Sequence, residues 1–99
     1  MSEETKTKQE NSENIIYVGK KPTMNYVLAV VTQFNNNIEK VTIKARGKAI
    51  SKAVDIAEIA KRKFVQTANY ENITLSTEVV EGERGESNVS SIEIVMSRN

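Results

Sequence analysis

The sequence predicts an α+β two-layer sandwich in the order β-α-β-α-β-β, with two helices on one face of a four-stranded sheet. Three observations predict it. Short runs near both ends and in the middle of the chain are apolar or alternate apolar with polar, as strands do. Two longer segments between them carry the helical period. Glycine and asparagine punctuate the boundaries.

Residues 1–13 contain no Val, Ile, Leu or aromatic residue, so burial cannot offset their chain entropy. A disordered acidic tail is expected there, ahead of one domain over residues 14–99. Ile15-Ile16-Tyr17-Val18 is an apolar run stopped by Gly19 and reads as a buried strand. Lys20-Lys21-Pro22 is a basic loop, and Pro22 suits the first turn of a helix. Met24, Val27, Leu28, Val31 and Phe34 then fall on one helical face, and Asn35-Asn36-Asn37 ends the helix. Val41, Ile43 and Ala45 alternate with Thr42, Lys44 and Arg46, a half-buried strand broken by Gly47.

Residues 48–65 predict the longest helix, and its apolar arc is wider than one stripe, so it is expected to touch more than its own sheet. On its outer face Glu58 can pair with Arg62 at i, i+4. Residues 66–72 read as a polar connector. Residues 73–79 and 89–96 read as two strands, joined by a glycine-containing hairpin tip over residues 80–87.

Composition excludes several functions. Without cysteine there are no disulfides, thiolate nucleophiles or Cys-based zinc sites. Without histidine the usual general base and the commonest metal ligand are missing. Neither G-x-x-x-x-G-K-[ST] nor G-x-S-x-G occurs, so no enzyme is expected and no cofactor or metal. Glu81, Glu83 and Glu86 on the hairpin read as protection against edge pairing rather than as a cation site. No apolar run approaches the ~18 residues of a membrane span. The polar N-terminus lacks a signal-peptide core, so the expectation is a cytoplasmic protein.

The formal net charge of +1 hides an asymmetry. Residues 1–13 carry −2, residues 14–70 carry +7 from ten bases and three acids, and residues 71–99 carry −4. A basic middle between acidic ends points to an anionic partner, or to a solvated surface where lysines cluster. The cations gather at two strand-to-helix junctions. Lys20 and Lys21 precede the first helix, with Asn25 and Tyr26 in its opening turns. Lys44, Arg46, Lys48 and Lys52 surround the start of the second. Cations at a helix N-terminus oppose its dipole by about 0.3–1 kcal/mol each, and an anion such as a phosphate reverses the sign. Parallel strands would put both junctions at one end of the sheet, as a single phosphate-binding surface. Tyr26 reads equally as a stacking or backbone-bonding group and as a packed aromatic.

The same residues carry a resemblance. The segments Ile16-Tyr17-Val18-Gly19-Lys20-Lys21-Pro22, Met24-Asn25-Tyr26-Val27-Leu28, Ile43 through Asp55 and Val89 through Ile94 resemble the Alba family of archaeal chromatin proteins. The K-A-R-G-K-A-I-S-K-A-V-D run is the specific part. The resemblance implies a homodimer with a fold also found in the C-terminal domain of bacterial translation initiation factor three. It implies binding of double-stranded DNA, and also RNA, largely without sequence preference. On this chain it implies nucleic-acid contacts at Lys20, Lys21, Tyr26, Arg46 and Lys48, acetylation at Lys20 with an acetylase and deacetylase as partners, and dimer–dimer contacts at Phe64. It implies hairpin arms toward the minor groove, where Arg84 is the one basic residue of an acidic tip. The expectation is a chromosome-associated, non-enzymatic dimer that organises or compacts DNA, with an RNA-binding module in RNA processing or translation as the rival.

Overall fold

A computed structural model describes residues 14–98. The elements are β1 (Ile15–Tyr17), α1 (Thr23–Asn35), β2 (Lys40–Arg46), α2 (Ile50–Ile59), β3 (Asn69–Gly82) and β4 (Gly85–Ser97). A 3₁₀ turn over Gly47–Ala49 leads into α2, and a π turn over Ala60–Phe64 leads out, closed by the Val65 N–H donating to the Ala60 carbonyl at 2.8 Å. The order β-α-β-α-β-β is the one the periodicity predicts. The sheet runs β1-β2-β4-β3, with β1 parallel to β2 and the other pairs antiparallel.

Alternation in β2 and β4 sets which face is buried. Val41, Ile43 and Ala45 point to the helices with their cross-strand partners Met96, Ile94 and Ile92. Against them α1 buries Val27, Val30 and Phe34, at i, i+3 and i+7. The sequence face is corrected here: Met24 and Leu28 are exposed, and the helix is rotated so that Val30 faces the sheet. From α2 and its π turn come Ala53, Ile56, Ala57 and Ala60. Three of these are alanines, which let the helix lie close to its neighbours. Phe34 is the largest of the fully buried side chains, so truncation to alanine would cost about 3–5 kcal/mol.

Several boundaries differ from the sequence reading. The segment 48–65, expected as the longest helix, is α-helical only over the 10 residues of α2, against 13 in α1, because its ends tighten into the 3₁₀ turn and widen into the π turn. The connector before β3 is shorter, because β3 begins at Asn69. The hairpin tip shrinks to a two-residue turn, Glu83-Arg84, with pairing continuous out to Gly82 and Gly85. Its Ser, Glu and Asn residues look like loop in sequence, yet each strand satisfies the other's backbone. Since β2 ends opposite Ser91, the pairing that runs from Thr77 with Ser90 out to Gly82 with Gly85 forms a ribbon beyond the body of the sheet. At ~3.4 Å per residue it is about 20 Å long.

Asn37 ends the α1 region with φ 68°, a left-handed conformation asparagine tolerates. Gly47 adopts φ 60° at the turn from β2 toward α2. A Cβ there would meet Val89 at an ordinary 3.6 Å, so conformation rather than space calls for glycine. The proposed tail over residues 1–13 lies outside the described residues.

Candidate nucleic-acid interface

Because β1 and β2 are parallel, their C-terminal ends meet at one end of the sheet. The loop from Val18 to Pro22 and the turn from Arg46 to Ala49 are therefore neighbours, and each opens a helix. Neither α1 nor α2 has a side-chain N-cap or an acid in its first turn. Their dipoles therefore face the junctions uncompensated by any side chain, while the Ile50 N–H at the start of α2 donates to the Gly47 carbonyl of the 3₁₀ turn. Lys20, Lys21 and Lys48 are all exposed here. Among the described residues, no ion pair involves any of the three. Asn25 is exposed in the first turn of α1, where its N–H donates to the Pro22 carbonyl.

Tyr26 and Lys52 are placed differently. The Tyr26 hydroxyl oxygen accepts from the backbone N–H of Gly19 at 2.8 Å and of Lys21 at 3.1 Å. The Lys52 ammonium donates to the carbonyl oxygens of Gly19 and Lys21, both at 2.9 Å. It also lies 6.0 Å from the centroid of the Tyr26 ring. One side chain from each helix thus grips both polar groups of the same two peptide residues. The loop is held from below, so the Lys20 and Lys21 side chains project from a fixed backbone. Of the alternatives the sequence left open for Tyr26, the structure shows the backbone bond together with the packed aromatic, since the half-buried ring also packs against the core.

Lys44 and Arg46 point from β2 onto the sheet face opposite the helices. Lys44 approaches Glu93 of β4 at 4.0 Å, and Arg46 donates to Glu78 of β3 at 3.1 Å. Arg46 is the last residue of β2 and adjoins the junction, whereas Lys44 lies two residues back on the open face. Sequence reasoning missed both acid partners. The signal exists only in the register, which brings residues some thirty to fifty positions apart onto one face.

The ribbon continues past Arg46, so it projects from the same end as the two junctions. Arg84 stands at its turn, between Glu83 and Glu86, away from the lysine cluster. At the other end of the molecule, Phe64 closes the π turn and is 48% exposed, beside Lys61, Arg62 and Lys63. Leu75 is 74% exposed on β3. Together with Ile73 and Val79 it continues the helix-side face of the sheet beyond the reach of the helices, since Ile73 and Leu75 pair with the buried Ile94 and Ile92.

A second polar cluster lies away from this end. The Tyr70 hydroxyl donates to Glu58, which also accepts from Arg62 at 3.2 Å. The tyrosine bond, with help from Arg62, holds the Glu58 carboxyl below its usual range. Burial, then the same bond, pushes the Tyr70 phenol up. Glu71 occupies a bulge in β3 and reaches Lys40 at 2.8 Å, which raises the Lys40 ammonium above its usual value. Among the described residues no three His, Cys, Asp or Glu side chains are grouped to hold a metal, and no helix is long and apolar enough to cross a membrane.

Comparison with known proteins bears on the family and the overall fold. Residues 14–77 match the Alba family. The DNA/RNA-binding protein Alba of Thermoplasma volcanium is 73% identical over 86 residues, covering 87% of this chain and 97% of that protein. The solved structure of Alba from Thermoplasma volcanium superposes with a TM-score of 0.84 over 86% of this chain and 100% of its own. ALBA1 from Trypanosoma brucei, 26% identical, gives 0.72 over 89% of this chain and 71% of its own.

Proposed function

Since this chain belongs to the Alba family, we propose that it is a non-enzymatic nucleic-acid-binding protein that grips phosphates with its paired strand-to-helix junctions. One observation carries the reading. The Lys52 ammonium of α2 bonds the second helix to the first junction, which Tyr26 ties to its own helix, and this joint unit presents Lys20, Lys21 and Lys48 over two helix N-termini that no side chain caps. Phosphate contacts of this kind are indifferent to base sequence. The ligand is double-stranded DNA, which the protein organises or compacts in the cytoplasm on the chromosome. RNA uses the same surface.

The chain acts as a homodimer. Ile73, Leu75 and Val79 on β3 and Val54 on α2 are apolar and exposed, and a second copy would remove them from water. Dimerisation doubles the basic surface and sets two ribbons on one duplex. Phe64 serves a weaker contact between dimers along DNA. Acetylation of Lys20 would delete one of the exposed cations and so weaken binding, under an acetylase and a deacetylase.

The test is the salt dependence of duplex binding. Removing a cation that neutralises one phosphate should lower the slope of log K against log salt by about 0.9. Lys21→Ala and Lys48→Ala are expected to show that reduction with weaker binding. Unchanged slope and affinity in both would remove the junctions from the interface. Sedimentation should give twice the chain mass for the free protein, and a monomer at micromolar concentration would refute the dimer.

A further inference from the structure

We propose that the open face of the sheet is a second binding site, at which an unpaired nucleobase stacks on Tyr17. The proposal rests on the nucleic-acid reading above and adds a ligand to it, a single-stranded segment. Tyr17 is the outlier of its strand: Ile16 is buried, whereas the Tyr17 side chain is 68% exposed. It pairs in register with Lys44, so both stand on the face away from the helices. The Lys44 ammonium lies 6.0 Å from the ring centroid, at one side of an open depression of about 610 Å³.

The floor of that depression suits a base better than a phosphate. Its cations are already matched, Lys44 with Glu93 at 4.0 Å and Arg46 with Glu78 at 3.1 Å. Local charge is therefore near zero, unlike the junction surface. The centre of the floor is polar, with the Ser76 and Ser91 hydroxyls 2.6 Å apart and bonded to each other. These hydroxyls and the two carboxylates offer donors and acceptors to the edge of a ring stacked on Tyr17. A protein partner has less to gain here, because the exposed apolar residues of β3 lie on the opposite face.

The depression is continuous with the phosphate surface. Tyr17 precedes Lys20 by three residues, and the Val18 N–H donates to the Lys44 carbonyl at 2.9 Å, fixing the strand end beside the loop. Arg46 borders both surfaces. A strand whose phosphates lie along Lys20 and Lys21 can place one base over Tyr17. A duplex cannot, since pairing and stacking hide the ring faces of its bases. Stacking on an aromatic side chain contributes enough that its removal should reduce affinity about five- to one-hundred-fold per base.

The experiment compares an unstructured oligouridine with a DNA duplex of equal length. Tyr17→Ala and Tyr17→Leu should weaken oligouridine binding about five-fold or more, and Tyr17→Phe should retain it. Duplex affinity and its salt slope should stay unchanged in all three. In the wild type, oligouridine should shift the Tyr17 ring protons upfield and duplex should not. Tyr17→Leu keeps an apolar side chain on the strand, so a folding defect in Tyr17→Ala alone leaves the test readable. Equal losses on both ligands, or no loss on oligouridine, would overturn the proposal while Lys21→Ala still reports on the junction surface. A wild-type protein that binds neither ligand would overturn the nucleic-acid reading and this site with it.

Discussion

The Lys52 ammonium donates to the carbonyl oxygen of Gly19 at 2.9 Å, across 33 positions of sequence. A cation at a helix N-terminus is thereby satisfied by backbone oxygens of the neighbouring junction. Lys52→Met should weaken duplex binding about two- to ten-fold, the scale of one hydrogen bond, without altering the salt slope. Tyr26→Phe should do the same, and both should speed amide exchange at Gly19 and Lys21. A slope lowered by about 0.9 in Lys52→Met would instead make Lys52 a phosphate contact.

Arg46 is held by Glu78 before any ligand arrives. Both side chains are well exposed, so the pair is weak and easily exchanged. Glu78→Gln should release Arg46 and tighten duplex binding about two- to five-fold at low salt. Arg46→Ala should abolish that gain in the double variant. Titrations of the four proteins give the coupling directly, and a gain that survives in the double variant would disprove competition.

Glu58 and Tyr70 predict losses of stability at both pH extremes. The Glu58 carboxyl is depressed in the folded state, so its contribution is present above the unfolded value of about 4.3 and lost as pH falls through the lower folded one. The Tyr70 phenol is raised, so its contribution is present below about 10 and lost as pH rises through the folded value. Glu58→Gln should shrink the difference from wild type in strong acid, and should move the Tyr70 titration, followed by NMR of its ring, back toward the ordinary tyrosine value. A Tyr70 titration unmoved by Glu58→Gln would leave burial as its sole cause.

Arg98 closes the far end of α1. Its guanidinium donates to the Phe34 carbonyl at 2.8 Å, at the negative pole of the helix. Arg98→Ala should cost about 1–2 kcal/mol, read as a lower denaturant midpoint at constant m. Arg98→Lys should recover part of it, and an unchanged midpoint would show that water replaces the bond.

Much of this is legible in the residues. The alternation of Val41, Ile43 and Ala45 names both the strand and its buried face, and Asn37 names the end of α1. The parallel pairing of β1 with β2 then follows from a helical crossover, and with it the meeting of two basic junctions. The rotation of α1 is not legible, because Val30 and Val31 are chemically alike and only the sheet beneath decides between them. The ribbon reads as loop because its backbone is paired between strands whose polar residues leave no local apolar pattern. The roles of Lys52 and Arg46 depend on partners 31 to 33 positions away. Charge alone makes them equivalent to Lys20; only tertiary position separates a cation already engaged from one facing water.

The strand order β1-β2-β4-β3 puts the last strand of the sheet in its interior. During synthesis β1, α1, β2 and α2 can assemble first, but β2 must then wait with one edge unpaired. Only when β4 emerges from the ribosome can it enter between β2 and β3, carrying Ile92, Ile94 and Met96 into the core. Nascent chains stalled before β4 should therefore be bound by chaperones and cut readily by protease. The long-range pairing of β2 with β4, some fifty residues apart, should make its closure the slow step of folding.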